Sequence, residues 1–382
     1  MAIKLNYKNL FDYLIDAAIC HKDDLDHLKV DVNNSRTFHW VVELTRNQGK
    51  LFVKQLPHFS RLDNDLRISK EWKLYNFLQS HKDLDYASSL TPEVLHFDDS
   101  NSILIYKCPN DYITLKSFYE HQEAFPIALA ELVGTTLAKL HSQTMSSQKC
   151  HAFLTELEEC KFNYQLPYPD YLSDYLVSRI EPESLKKTQA LSWRFLGIFK
   201  QSDAVREVVT ELVLNHRHCC LTHNNIQFHK IFIPQHWDKL RSEIQNSARS
   251  LIKIIDWEAY SWGDPACDLG QAILGYFLFW IDSTIAHRAI EIKKSLQLAT
   301  IPLEAVRPSI VAMTKAYINT YPKVLEDYPE FLKRVVQFAG LGLIYQLLTE
   351  FQLQPEIALS RQNLYFFIAA QLLCKPEKFL SI

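Results

Sequence analysis

Polar side chains interrupt two apolar stretches in the second half of the chain. Residues 221–233 read LTHNNIQFHKIFI, and residues 254–269 read IIDWEAYSWGDPACDL. In the second stretch, Asp256 follows the apolar run 251–255, so we expect it to project from a strand end into a cleft. A carboxylate in such a place can hold a divalent cation, and the alternative is a cap on a turn or helix.

The second stretch resembles the signature of the aminoglycoside phosphotransferase and choline-kinase-like family, whose members have a protein-kinase-like fold. That signature is Asp-Trp-Glu followed by Gly-Asp-Pro-x-x-Asp-Leu, and residues 256–269 contain every element of it. The segment LAKLH at 137–141 resembles the helix that precedes the family's catalytic loop. Together with Lys54 and Glu71, the resemblance extends over roughly residues 25–280.

The resemblance implies phosphoryl transfer from ATP, in which a protein mainly positions phosphates and neutralises their charge. It assigns Lys54 to the α- and β-phosphates, Glu71 in the next helix to the orientation of that lysine, and Asp256 to Mg²⁺. Tyr106, at the expected hinge between two lobes, is a further residue expected beside the nucleotide. Ser35 lies in a glycine-free turn between the first strands, which either contacts phosphate or is an ordinary surface turn.

The first stretch departs from the family's catalytic loop, which reads His-Gly/Asn-Asp-x-x-x-x-Asn. The aligned residues are His223, Asn224, Asn225 and Lys230, so Asn225 replaces the catalytic aspartate and Lys230 replaces the metal-binding asparagine. A neutral amide is not a base, and loss of a general base costs ~10²–10⁴ in rate. A protonated lysine cannot ligate a metal and repels Mg²⁺. We therefore expect His223 and Asn225 at the catalytic position, with Mg²⁺ binding weakened by Lys230.

Two aspartates of the second stretch are expected to have structural roles. Asp264 directly precedes Pro265, and the pair has the residue types of a helix N-cap followed by the first helical position. Asp268 lies one turn later. We expect both residues to hold the loop and to fix His223.

These features favour one function and leave a second one open. The first is a pseudokinase, or a weakly active subunit, that keeps its cleft for a nucleotide, an unknown small molecule, a peptide or a partner protein. The alternative is an active ATP-dependent phosphotransferase, because a loose transition state needs little base and Asn225 can still orient a hydroxyl. Its substrate would be a small-molecule hydroxyl or a peptide Ser/Thr, as in lanthipeptide-type pathways.

The surrounding elements predict an α+β arrangement of a small β-rich lobe and a larger helical lobe, and the resemblance implies that this is the two-lobed, protein-kinase-like fold. Strands are predicted at 37–44 and 51–56, and helices at 5–20, 66–80 and 124–142, from their alternating or helical apolar periods. We expect a small β-rich nucleotide-binding lobe at residues 1–108 and a large helical lobe at residues 109–382. The resemblance implies that the catalytic-loop region of the helical lobe is 219–270 and that an insertion at 145–215 would supply the substrate wall.

The composition excludes several classes of partner. The 382 residues carry a net charge of −3, which gives no reason to expect nucleic-acid binding. The N-terminus lacks the apolar region of a secretory signal, and the longest apolar run, 272–281, is too short to span a membrane. The eight cysteines are scattered without metal-site spacing. We therefore expect a cytoplasmic protein that does not bind membranes.

Overall fold

The computed structural model describes residues 3–22, 29–34, 38–43, 50–55, 67–159, 202–244, 249–353 and 359–380. These residues form two compact units. The first is rich in β-structure and takes its residues from 3–121 and 229–258, whereas the second is larger, mostly helical and takes its residues from 122–159, 202–228 and 259–380. The α+β fold class predicted from the sequence is confirmed.

Within the described residues the strands are β1 (Lys29–Asn34), β2 (Phe38–Glu43), β3 (Lys50–Gln55), β4 (Glu93–Asp98), β5 (Ile103–Cys108), β6 (Tyr112–Thr114), β7 (Cys220–Thr222), β8 (Ile231–Pro234), β9 (Lys253–Ile254) and β10 (Ser261–Gly263). The α-helices of the same residues are α1 (Leu10–Asp16), α2 (Arg67–Ser80), α3 (Asp85–Leu90), α4 (Leu115–Gln122), α5 (Ile127–Met145), α6 (Gln148–Glu159), α7 (Asp203–Leu214), α8 (Trp237–Ile244), α9 (Pro265–Asp282), α10 (Ile292–Gln297), α11 (Leu303–Thr320), α12 (Lys323–Asp327), α13 (Phe331–Leu353), α14 (Leu359–Cys374) and α15 (Glu377–Leu380).

The first unit is built on an antiparallel sheet with the strand order β1-β2-β3-β5-β4. Its core cluster combines α1 with one face of the sheet, and its fully buried members are Leu5, Leu10, Leu14, Cys20, Trp40, Val42, Leu51, Val53, Ile103 and Ile105. Successive residues of a strand point to opposite faces. Because Leu51 and Val53 of β3 belong to this core, Phe52 and Lys54 project from the other face.

A second, three-stranded sheet with the order β6-β8-β9 also belongs to the first unit. The Phe232 ring of β8 contacts the Phe52 ring edge-on, with 5.5 Å between ring centroids. This sheet accounts for residues 229–258 packing in the first unit, although they lie far beyond the boundary at residue 108 that the sequence predicts. It carries Lys230 just before β8 and Asp256 just after β9.

The second unit contains α5, α9, α11 and α13 packed together, with the short pair β7–β10 beside them. Helix α9 is buried over most of its length, which explains why residues 272–281 are apolar on all sides. Most of the predicted insertion at 145–215 lies outside the described residues, and α6 and α7 form its ends. None of the helices in the described parts of the chain is long and apolar enough to cross a membrane.

Close packing of α5 against α11 depends on Gly134. A Cβ atom at this position would lie 2.2 Å from the backbone oxygen of Met313, which no side-chain rotation can relieve. We therefore predict that Gly134→Ala destabilises the protein by ~1–3 kcal/mol, although alanine is the better helix former. Thermal unfolding followed by circular dichroism measures the effect. The exposed Gln143→Ala of the same helix is the control, and equal melting temperatures for both variants would contradict the prediction.

Candidate functional site

A buried ionic cluster, formed by Lys54, Glu71, Lys230, Asp256 and Glu258, lies in the first unit. The ammonium nitrogen of Lys54 is 2.8 Å from Glu71 Oε2, 3.1 Å from Asp256 Oδ1 and 2.9 Å from Glu258 Oε2. Only 1% of Lys54 and none of Glu71 is exposed to solvent. The structure therefore brings together the lysine, the helix glutamate and the aspartate that the sequence singles out, and it adds Glu258.

Glu71 is fixed in place through both carboxylate oxygens. Its Oε2 accepts a hydrogen bond from Lys54, and its Oε1 accepts hydrogen bonds from the Tyr75 hydroxyl at 2.6 Å and from the Trp257 backbone N–H at 3.1 Å. Tyr75 lies one turn after Glu71 on α2, so the helix itself positions this partner. Glu71 thus ties α2 to β3 and to the segment that follows β9.

The charges of the cluster shift each other's protonation. Burial alone would lower the pKa of Lys54, but Asp256, Glu258 and Glu71 raise it well above its ordinary value. Burial would raise the pKa of Glu258, yet the nearby Lys54 holds it below its usual range. Burial raises the pKa of Glu71 in spite of its contact with Lys54. The electrostatic partners of Lys54 therefore keep its ammonium charged inside the protein.

Lys230 presents a second ammonium group to the same aspartate. Its nitrogen lies 3.9 Å from Asp256 Oδ2, and only 6% of the residue is exposed. Burial lowers the pKa of Lys230, and the attraction of Asp256 and Glu258 offsets part of this effect. Lys230 thus points into the cluster and not to solvent.

The donor set does not fit a Mg²⁺ ion. Each oxygen of Asp256 faces an ammonium group, with Lys54 at Oδ1 and Lys230 at Oδ2. Mg²⁺ binds oxygen at ~2.0–2.1 Å, so at Asp256 it would lie next to one of these positive charges. In the described parts of the chain, no group of three or more His, Cys, Asp and Glu residues is arranged to hold a metal.

The loop that contains His223 and Asn225 is held by α9 within the second unit. Asp268 accepts hydrogen bonds from the backbone N–H groups of His223 at 2.8 Å and Asn224 at 2.7 Å. Gln271, one turn later, accepts from the Ile226 N–H at 2.6 Å and donates to the Asn224 carbonyl at 2.8 Å. Asn224 has a left-handed φ of 61°, a backbone conformation that these contacts fix.

The side chain of Asn225 is partly exposed and engaged on one side. Its Oδ1 accepts a hydrogen bond from Gln227 Nε2 at 2.9 Å, and its backbone N–H donates to His223 Nδ1 at 3.2 Å. His223 itself is fully buried. The loop backbone is therefore held by hydrogen bonds, and the side chain that it presents is an amide, which cannot act as a base.

Asp264 connects the start of α9 to α13. Its Oδ1 accepts from the Ala266 N–H at 2.9 Å, which is an N-cap, and its Oδ2 accepts two hydrogen bonds from Arg334, at 2.6 Å from Nη2 and 3.1 Å from Nε. Asp264 is 1% exposed and Arg334 8% exposed. The pair is a buried ion pair in which one carboxylate oxygen receives a forked guanidinium contact.

Three side chains that make the contacts described above were not singled out in the sequence. Glu258 belongs to the Asp-Trp-Glu motif, and its place in that motif was the available signal. Gln271 follows Asp268 by three residues, a helical spacing that puts both on one face. Arg334 lies 70 residues beyond Asp264 and carries no sequence signal. Of the predicted nucleotide residues, Ser35 lies outside the described residues, and Tyr106 is buried on β5 and stacked on Phe52.

The Asp264–Arg334 pair leads to a stability prediction. Arg334→Met leaves the Asp264 carboxylate buried without its partner, so we expect a loss of ~3–5 kcal/mol. The double variant Asp264→Asn/Arg334→Met should lose less than the single one, because a neutral asparagine still caps α9. Chemical denaturation measures both, with Lys333→Met on the exposed side of α13 as the control. A double variant as unstable as Arg334→Met, or more so, would argue against the buried charge as the cause.

Comparison with known proteins relates the chain to kinases by fold. A scan of protein families finds no match for the sequence, and neither does a search of curated proteins. Among solved structures, an ethanolamine kinase from Plasmodium vivax is similar with a TM-score of 0.55 and 14% identity, covering 100% of this chain and 92% of that one. A choline/ethanolamine kinase family protein from Mesorhizobium loti has a TM-score of 0.52 and 13% identity, covering 96% of this chain and 95% of its own. The chain therefore has the fold of the choline and ethanolamine kinases, as the resemblance of residues 256–269 predicts.

Proposed function

We propose that this protein is a pseudokinase, which binds a nucleotide and transfers its phosphoryl group slowly or not at all. The observation that carries the proposal is the ionic cluster itself. Lys54, Glu71 and Asp256 are assembled as the resemblance to kinases implies, but the Lys230 ammonium lies 3.9 Å from Asp256. The cluster thus has two ammonium groups for phosphates to contact and no place for the metal ion that would assist their transfer.

The catalytic loop supports the same conclusion. Asn225 replaces the aspartate that accepts or orients the proton of a substrate hydroxyl, and an amide cannot accept that proton. The scaffold of the loop, with Asp268 and Gln271 bonded to its backbone, is retained. The loss therefore concerns the reacting groups and not the architecture, which is consistent with a protein kept for binding.

The active alternative, a phosphotransferase that acts on a small-molecule or peptide hydroxyl, makes the opposite kinetic prediction. Choline, ethanolamine and aminoglycosides are the acceptors to test first. The fold is similar to those of an ethanolamine kinase and a choline/ethanolamine kinase family protein. Residues 256–269 resemble the signature that aminoglycoside phosphotransferases share with choline-kinase-like proteins. The residues 160–201, where a substrate wall is expected from the sequence, lie outside the described residues. Kinetics therefore separates the two functions better than structure.

The first kinetic prediction is that purified protein with radiolabelled ATP and Mg²⁺ transfers phosphate far below the ~1–100 s⁻¹ of ordinary kinases. The acceptors are choline, ethanolamine, kanamycin and water. The reason is the absence of both the base at Asn225 and the metal ligand at Lys230. Turnover within the ordinary range with any of these acceptors would refute the pseudokinase proposal and favour the alternative.

Restoring the family's residues provides the matched variant. Asn225→Asp keeps an oxygen for the Gln227 amide to donate to, so the loop should fold as before. We predict that Asn225→Asp/Lys230→Asn raises a residual rate by ~10²-fold or more if an acceptor binds, the size of a general-base effect. Gln227→Asn, at a neighbouring loop position, controls for disturbance of the loop. An unchanged rate in the double variant would show that substrate binding has also been lost.

A further inference from the structure

Carboxylates surround the Lys54 ammonium group at the place where a phosphate would have to bind. Its ammonium group already has three carboxylates within 3.1 Å, from Glu71, Asp256 and Glu258. An ammonium has three N–H donors. Two of these donors form hydrogen bonds, with Glu71 Oε2 and Asp256 Oδ1, whereas Glu258 Oε2 lies 2.9 Å away without accepting one. The third N–H of Lys54 is therefore open to a phosphate oxygen once Glu258 moves out of that position.

Glu258 is the carboxylate that can leave. Glu71 is fully buried and held by Tyr75 and the Trp257 backbone, and Asp256 lies between two ammonium groups. The Glu258 side chain is 18% exposed, against 0% for Glu71 and 11% for Asp256. Its Oε1 is also only 4.0 Å from Arg67 Nη1, so a second cation is at hand when it turns away from Lys54.

Lys230 supplies the other half of an anion site. It flanks the same Asp256 carboxylate as Lys54, at the longer distance of 3.9 Å. Two ammonium groups on either side of one fixed carboxylate form a pair of positive charges that a phosphate chain can bridge. Lys230 thus contributes one positive charge where a metal-dependent kinase would use a divalent cation.

We propose that the phosphates of a nucleotide displace Glu258 from Lys54 and bridge Lys54 and Lys230 without a divalent cation, while Glu258 pairs with Arg67. This inference rests on the proposed nucleotide binding and adds to it the displaced carboxylate and the replaced metal. In the cluster as it stands, two lysines face three carboxylates, which leaves one excess negative charge. Moving Glu258 to Arg67 removes that charge from the phosphate site, so Glu258 sets the affinity.

Calorimetry of ATP binding, in MgCl₂ or in EDTA, tests the proposal. We expect wild-type affinity to differ by less than about threefold between the two conditions, because Lys230 replaces the metal. Lys230→Met should weaken binding about tenfold, and Glu258→Gln should tighten it about tenfold, each the size of one charge-assisted contact. Arg67→Met should weaken binding, because it removes the alternative partner of Glu258.

Two exposed residues of the first unit serve as charge-matched controls. Lys116→Met and Glu93→Gln change the net charge by the same amounts as Lys230→Met and Glu258→Gln and should leave affinity unchanged. Melting curves of all variants establish that they are folded. If Glu258→Gln does not fold, Glu258→Asp, whose shorter side chain reaches Lys54 less well, should tighten binding instead.

Tripolyphosphate separates this inference from the proposed function. One outcome is that the variants change the affinity for tripolyphosphate in the predicted order while ATP binds no more tightly than tripolyphosphate does. In that case the two-lysine anion site stands and the proposed recognition of a nucleotide fails. Strong Mg²⁺ dependence in the wild type, with no loss in Lys230→Met, would overturn the inference while nucleotide binding survives. Equal affinities of wild type and Glu258→Gln would overturn the displacement, and absence of binding for both ligands would overturn both proposals.

Discussion

The burial of the Lys54 ammonium determines how the first unit is assembled. A charge with 1% exposure is tolerated only if opposite charges surround it, and its carboxylates come from distant parts of the sequence. The large sheet presents Lys54 on the face away from α1, and α2 presents Glu71. The turn after β9 presents Asp256 and Glu258. The folded unit can therefore bury Lys54 only when all of these elements are in place, because the loss of any carboxylate would leave the buried charge without one of its partners.

This constraint explains why residues 229–258 pack with the N-terminal strands. A division by sequence position places them with the helical region, where their neighbours in the sequence belong. The hydrogen-bonded pairing of β8 with β6 and β9, and the ion pairs of Asp256 and Glu258 with Lys54, place them in the first unit instead. The segment contributes three of the five members of the ionic cluster, so the cluster is built from two distant parts of the sequence.

The parts of the fold that could be predicted are those with a local signal. Alternating apolar residues locate β2 and β3 to within about one residue, and the apolar period locates α2 similarly. The helix predicted at 5–20 is shorter, because Ala18 adopts a left-handed φ of 55° and the chain before Leu10 is not helical. Leu5 is nevertheless buried, and its N–H donates to Gln55 Oε1 at 2.9 Å. Tertiary packing therefore buries Leu5 without extending the helix to it.

In the candidate site, the contacts that the motif specifies can be separated from the side chains that the motif leaves open. The Gly-Asp-Pro-x-x-Asp motif specifies backbone contacts: Asp264 caps α9 and Asp268 holds the loop of His223. None of these contacts involves the side chains of Asn225 or Lys230, so the scaffold survives the two replacements that change its chemistry. A match to such a motif is thus evidence for a fold. The evidence for activity has to come from the few side chains that the scaffold presents, and here those side chains are an amide and an ammonium.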